Sequence, residues 1–485
     1  MAGQVNTTPG FDLQPSAQRV PLKTNYITNF DFMNQYLPDT YEKEFERYGN
    51  RTISSFLRMV GAEMPSNSDL IKWAEQGRLH TKYKKCTTAA LINADEAEFT
   101  VGDDPNAGIS TASAFGANSG IAIRVGQTVH VSDNAGGGAE KGIVIEVDYA
   151  NSKFKVAFYA ASGLPVAGAG KEFTVFIYGS EFKKGTEGMA NSLEADDFIY
   201  ENSPIIIKDK YQVSGSDMAQ IGWIEVTTEN GASGYLWYLK SEHETRLRFD
   251  DYLETSMIEA VPAEAGGGVV AQADFADGGN KGSEGIFYVV GTRGNVYGGG
   301  NPTTLAEWDS IISRLDKQGA IEENVVFVDR DYSFDIDDML SQQSSNAAGG
   351  VSYGLFDNEK EMALNLGFTG FRRGYDFYKS DWKYLNDPTM RGDLPSAAGS
   401  GKVSGLLVPA GSTSVYDQIL GKNAKRPFLH VRYRASETED RRYKTWITGS
   451  AGGARTSSLD AMEVNFLSER AVCTLGANNF FLFNA

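Results

Sequence analysis

The sequence predicts an α+β protein in which one long helix braces separate β-rich and mixed segments. Three features lead there. A run without glycine or proline fills residues 235–260 and is closed by Pro262. Residues 125–179 alternate apolar and polar positions between turn signals, the signature of an antiparallel β-module. Beyond Pro262, apolar strand-like runs alternate with helical ones, which implies an α/β or α+β unit.

Taken in order, residues 1–38 mix polar residues, prolines and scattered aromatics without a period, so they read as an extended arm. Residues 39–86 turn helical in pattern, through Tyr41, Phe45, Tyr48, Ile53, Phe56, Leu57 and Val60, then Leu70, Ile71 and Trp73. Residues 87–185 hold the β-module: strands at 125–133, 142–148, 154–160 and 173–179 with glycine turns between them predict a small barrel. A stretch with few periodic runs reads as a loop-rich approach to the strand IGWIEV at 221–226, and then to the helix of 234–260. With Ser233 as N-cap, that helix is about 40 Å long. Leu236, Leu239, Leu247, Leu253, Met257 and Ile258 recur on its buried arc, and Glu242 to Arg246 and Glu244 to Arg248 are favourable i,i+4 pairs on its wet face.

The region 263–425 begins with a Gly/Ala-rich crossing and continues as a strand at 286–291, a helix at 303–318, a strand at 324–329, a helix from Ser333 and the strand GLLVP at 405–409. Residues 426–485 return to strands at 428–435, 443–448, 463–472 and 479–483. No internal repeat or coiled-coil heptad is visible.

Composition narrows the function. At 485 residues, 41% of them hydrophobic, the chain has material for about two to four cored domains. No apolar window of membrane-spanning length and no signal-peptide order is present, so a cytoplasmic origin without membrane association is expected. Cys86 and Cys473 are the only cysteines; they are read as buried, inert thiols and exclude a cysteine-based zinc site. A net charge of −18 opposes a sequence-independent grip on nucleic acid.

Chemical motifs fail on their own terms. His80, His130, His243 and His430 lack metal-ligand spacing, and His243-Glu244 has no second histidine at 247. His243 reads as structural, a polar interruption of the helix's buried arc with Arg246 and Asp250. The acidic run 329–337 carries Phe334 where a calcium loop needs glycine and Leu340 where it needs glutamate, so it reads as an acidic helix start. Gly399-Ser400-Gly401-Lys402 is followed by Val403 and reads as a flexible loop, not a phosphate cradle; the glycines of 289–300 miss the dinucleotide spacing. Neither Arg391-Gly392-Asp393 nor Asn50-Arg51-Thr52 has a use in a cytoplasmic chain. Catalytic, cofactor-binding and metal residues are therefore expected to be none, and no cofactor is implied. The one basic and aromatic cluster holds Arg372, Arg373, Lys379 and Lys383 among Tyr375, Phe377, Tyr378 and Trp382, and it reads as a subunit contact in preference to nucleic-acid stacking.

The order of parts, with GYLWYLKSEHETRLRFDDYLE opening the long helix and TLGANNFFLF closing the chain, resembles the major capsid proteins of tailed bacteriophages with the Hong Kong 97 fold. In local wording, through MAGQVNTTPG, the tryptophan-bearing approach to the helix and RYRASETEDRRYKTWITGSAGG, it is similar to those of crAss-like phages of gut Bacteroidales. The resemblance implies an N-arm (1–38), a helical segment (39–86), an E-loop carrying an added β-domain (87–185), a peripheral domain with a spine helix (186–262), an axial domain (263–425) and returning strands (426–485). The β-domain departs from a plain two-stranded E-loop.

By the same resemblance the chain is expected to be a structural virion protein, not an enzyme. Its copies would form hexamers and pentamers of an icosahedral head, assembled in the host bacterial cytoplasm and enclosing double-stranded DNA without sequence-specific binding. Partners would be itself, a separate scaffolding protein, a portal and head-decoration proteins. Inter-subunit contacts are expected at Phe11, Tyr26 and Phe30 in the arm and at Arg372, Arg373, Tyr375 and Trp382. Rival readings are the shell of a bacterial nanocompartment, an α/β enzyme built on residues 286–345, and a monomeric adhesin or fibre. Only the shell readings predict large closed particles.

Overall fold

The structure, a computed structural model, describes residues 62–76, 80, 82–93, 95–102, 121–164, 171–192, 197–220, 225–227, 233–264, 267–271, 280–319, 321–345, 370–392, 394, 402–410, 412–417, 422–451 and 455–484. The expectations for the arm, including Phe11, Tyr26 and Phe30, and for the helical run Tyr41 to Val60 lie outside these residues. The chain divides into two compact units, one formed by residues 73–200 and the other by residues 1–72 with 201–485.

Strand β1 (Ala62–Ser66) and strand β2 (Ile71–Gln76) open the described chain. Leu70, Ile71 and Trp73 were expected on a helix. Instead β2 pairs with β9 (Asp197–Asn202) as a ribbon, because Ile71 and Trp73 alternate with polar neighbours at a strand's period of two.

Between β2 and β9 in the sequence come the strands of a barrel. Strands β3 (Lys82–Asn93), β4 (Glu96–Val101), β5 (Gln127–Asp133), β6 (Ala139–Asp148), β7 (Lys153–Phe158) and β8 (Glu172–Ser180) close in the order β3-β4-β7-β6-β5-β8, every neighbour antiparallel. The expected small barrel is present; it begins at Lys82 and includes β3 and β4, two strands the sequence reading did not single out. Closure leaves no open edge on this sheet. Phe99, Phe154 and Phe173 fill the interior, Phe99 lying 5.5 Å from Phe154 and 5.6 Å from Phe173 by ring centroid. Burial pushes the Cys86 thiol and the Tyr83 phenol each up to about 12, and Tyr83 accepts a hydrogen bond from the Ala122 N–H at 2.7 Å. Cys86 is thus an inert wall group, as expected.

The second unit contains two main sheets. Strand β10 (Ile205–Ser214), where a loop was expected, runs antiparallel to β22 (Ala461–Thr474) along ten residue pairs. β20 (Leu429–Arg434) and β21 (Lys444–Gly449) pair with the other edge of β22, and β1 joins β20 in parallel. After the short helix α1 (Gly215–Gln220), strands β11 (Glu225–Thr227) and β12 (Ser233–Tyr235) form a small hairpin. Ser233 therefore lies in a strand, not at an N-cap. The long helix α2 follows directly as Leu236–Glu259, 24 residues or about 36 Å.

Among the described side chains of α2, which begin at Glu242, the buried stripe is Thr245, Phe249, Leu253, Glu254, Met257 and Ile258, at helical spacing; the expectations for Leu236 and Leu239 lie outside them. Leu247, expected on the buried arc, is 45% exposed, and His243 and Arg246 are exposed as well, so they do not interrupt that arc. The arc is rotated because Phe249, a bulkier group, seats against Met462, Val464 and Phe466 of β22.

After the four-residue helix α3 (Gly268–Ala271), the run 286–291 forms a helix, α4 (Ile286–Arg293), where a strand was expected. Ile286, Val289 and Val290 are its buried positions, an i, i+3, i+4 set. A short apolar run fits either element, and packing against α2 decided it. Glycine is required where the chain enters α4: a Cβ on Gly285 would lie 2.7 Å from the Ala260 backbone.

The second sheet runs β13-β23-β17-β14-β16-β15. Its members are β13 (Asn295–Tyr297), β14 (Glu323–Val328), β15 (Gly370–Arg373), β16 (Tyr375–Asp381), β17 (Val403–Pro409) and β23 (Phe481–Asn484). Helix α5 (Leu305–Gln318) opens with a capping box between Thr304 and Glu307 and closes on Gly319 in the left-handed region. Helix α6 (Arg330–Ser345) opens on Asp329, whose carboxylate accepts from the Tyr332 N–H at 2.8 Å and meets Lys402 at 3.1 Å. The acidic run is a helix start, as expected. A short helix α7 (Lys383–Asn386) follows β16, and β18 (Ser412–Asp417) pairs with β19 (Lys422–Pro427) as a ribbon.

Candidate functional site

The basic and aromatic cluster singled out in the sequence forms the β15–β16 hairpin, with Gly374 at φ 77° making the tight turn. Strand alternation splits the cluster between two faces. One face looks at α5: Phe371 and Phe377 pack on the fully buried Trp308 at ring-centroid distances of 5.0 and 5.2 Å. On the same face Arg373 grips Asp309 with two donors, one of them at 2.7 Å, and the Tyr375 hydroxyl donates to Asp316 at 3.2 Å. The hydrogen bond from Arg373 holds the Asp309 carboxyl below its ordinary value, while partial burial, then Asp316, pushes the Tyr375 phenol up. Lys379 reaches Asp337 on α6.

The other face carries Arg372, Asp376 and Tyr378, with Arg372 bound to Asp376 at 3.0 Å. Trp382 belongs to neither face. It is 5% exposed and packs on Phe287, Phe327 and Tyr384. The fold thus buries Trp382, ties the partly exposed Arg373 and Tyr375 to α5, and presents Arg372 and Tyr378 on the opposite face of the last two strands of the sheet.

A second surface escaped the sequence reading. On the barrel's outer face Tyr159, Phe176 and Tyr178 stand exposed side by side. Tyr159 donates its hydroxyl to Glu181, and that bond holds the phenol above its ordinary range. The signal was present in the strand FTVFIYG: with Phe173 and Val175 facing inward, the outward positions 176 and 178 carry aromatics where solvent favours polar residues.

Among the described residues no catalytic arrangement emerges, and no group of three or more His, Cys, Asp or Glu stands together in a way that would hold a metal ion. His430 and Cys473 are cross-strand neighbours on β20 and β22, and both are buried. No helix among the described residues is long and apolar enough to cross a membrane.

No protein-family model matches the chain, and no curated protein matches it. Solved structures with similarity include "Microbacterium phage Oxtober96", with 10% identity, a TM-score of 0.37 and coverage of 92% of this chain and 96% of that one. "Capsid of native GTA particle computed with C5 symmetry" has 8% identity, a TM-score of 0.38 and coverage of 93% and 96%. "Capsid structure of the Cyanophage P-SCSP1u" has 9% identity, a TM-score of 0.32 and coverage of 64% and 80%. At identities and TM-scores this low, the likeness decides neither the fold nor the function of this chain.

Proposed function

We propose that this chain is the major capsid protein of a tailed bacteriophage, a structural subunit with the Hong Kong 97 fold, of the kind found in crAss-like phages. The observation that carries the reading is the succession of parts. A β-barrel is inserted ahead of a 24-residue helix; that helix lies against the sheet built on β22; a separate mixed sheet follows; and the last strands, β20 to β23, return to both sheets. This is the order in which the resemblance places E-loop, spine, axial domain and returning strands. Further support comes from large apolar side chains at the surface, among them Phe198, Ile199, Ile206, Val261 and Phe334, which partner subunits would cover.

In this role the work is geometric. Copies assemble into hexamers and pentamers of a closed head around double-stranded DNA, with a scaffolding protein, a portal and decoration proteins as partners. The arm, through Phe11, Tyr26 and Phe30, and the hairpin, through Arg372 and Tyr378, are assigned to contacts between subunits. Obligate interfaces of about 2,000 Å² or more outweigh the entropy of ordering such segments. An acidic subunit repels the packaged DNA instead of immobilising it.

Electron microscopy of the purified protein tests the proposal: closed particles are expected, and a monodisperse monomer under all assembly conditions refutes it. Removing residues 1–35 is expected to leave the circular dichroism of the subunit nearly unchanged while abolishing shells. Normal particles from that truncation count against the role of the arm.

A further inference from the structure

The barrel's outer face carries one row that does not suit solvent. Lys82 on β3 pairs with Phe176 on β8, Phe176 with His130 on β5, and His130 with Lys141 on β6. Directly opposed residues of antiparallel strands share a face, so these four side chains lie on one band across four strands. Tyr178 continues the band along β8, with the Lys141 ammonium 5.5 Å from its ring centroid. Tyr159 joins at the end, its N–H donating to the Lys141 carbonyl at 3.0 Å. Tyr159, Phe176 and Tyr178 are 53%, 42% and 45% exposed. Three adjoining exposed aromatics exceed the scatter of single apolar residues on a monomer surface, and rigid aromatics of this kind serve as anchors at interfaces.

Charge identifies the occupant. The row itself contributes two lysines and a histidine and no carboxylate; Glu181, at its border, is engaged by the Tyr159 hydroxyl. The chain as a whole carries 63 acidic against 45 basic residues. A basic and aromatic band on so acidic a molecule complements the surface of another copy of the same molecule. We infer that this band is a docking surface for an acidic face of a second copy of this chain. The inference rests on the shell reading above and assigns the inserted barrel a place in it: the barrel is an adhesive element whose aromatics seat on a neighbouring subunit while its lysines set the register.

The experiment uses the full chain with Tyr178→p-benzoylphenylalanine, assembled as an equal mixture of light and heavy isotope-labelled copies, irradiated and digested for mass spectrometry. Particle formation by the unsubstituted chain is read first and separately, since its failure counts against the shell reading. Light-to-heavy cross-links from position 178 onto Asp- or Glu-rich peptides are expected. The charge-reversed chain Lys82→Glu/Lys141→Glu is expected to need about tenfold more protein to assemble, because like charges then face each other. Its barrel fold is checked by an unchanged thermal transition, and Phe176→Ser provides a second variant without charge reversal. Particles that form at the normal concentration in both variants, with no cross-links between copies, overturn the inference while leaving the shell reading intact. Cross-links to a different protein overturn it, as does binding of a fluorescent single-stranded oligonucleotide by the unsubstituted chain that is lost in the variant.

Discussion

The face that α2 turns toward the sheet is open to a direct test through Phe249→Ala. Phe249 is fully buried, with its ring centroid 5.3 Å from that of Tyr443 in an edge contact and 5.6 Å from that of Phe466. Its neighbours Leu253, Met462 and Val464 are themselves buried, so little can collapse into the space vacated by the ring. Truncating a buried phenylalanine costs about 3–5 kcal/mol, and two lost ring contacts place this site near the middle, about 4 kcal/mol. Set against the roughly 5–15 kcal/mol of a typical domain, that is a large share. The companion variant is Leu247→Ala, two positions away and 45% exposed, expected to stay within about 0.5 kcal/mol of the parent. Urea unfolding of the unassembled subunit reads both. Equal losses for the two variants, or a loss near zero for Phe249→Ala, would refute the orientation of the helix.

Gly285→Ala is expected to destabilise the subunit by about 1–3 kcal/mol, because its Cβ would meet the Ala260 and Ile258 backbone at 2.7–2.8 Å and no flexible side chain is there to yield; an unchanged thermal transition would contradict that close approach. Asn202→Ala removes a buried amide that donates to the Glu284 and Val472 carbonyls at 3.0 and 2.7 Å and accepts from the Ser203 and Glu284 N–H groups and the Ser283 hydroxyl. A loss of about 2 kcal/mol or more is expected, with faster hydrogen exchange at Glu284 as its local signature. Glu307 is held below its ordinary 4.5 by hydrogen bonds from the Thr304 backbone and side chain. A depressed carboxylate adds stability above the unfolded value that is lost as pH falls through the folded one, so the advantage of the parent over Glu307→Gln should shrink as pH drops below about 4.5. A constant difference across that range would remove the capping carboxylate from the account.

Strong local signals were legible in the sequence. Thr304 and Glu307 form the capping box that starts α5, Gly319 ends it, and Asp329 starts α6; in each case the deciding contacts lie within a few residues of one another. The alternation of β5 to β8 pointed to a barrel because turn spacing and inward apolar phase are written along each strand. The long helix was legible too, since nothing in its sequence interrupts it. Three-dimensional packing decided the rest. The apolar run at 286–291 suits a strand or a helix alike, and contact with α2 and the close approach at Gly285 made it a helix. The run of β10 alternates weakly, and its ten pairs with β22 come from residues more than 240 positions away, beyond the reach of any local pattern. The hairpin shows the same division for the candidate site: sequence brought Arg372, Arg373, Tyr375 and Trp382 together, but the strand pleat and the placement of α5 tied Arg373 and Tyr375 to Asp309 and Asp316 at the surface, sent Trp382 to the core, and left Arg372 on the opposite face. Where a cap or a helix end is built from neighbours along the chain, as at Thr304, Gly319 and Asp329, the sequence by itself determines it. Which face of an element is buried depends on what is packed against it, and that is settled only when distant segments meet.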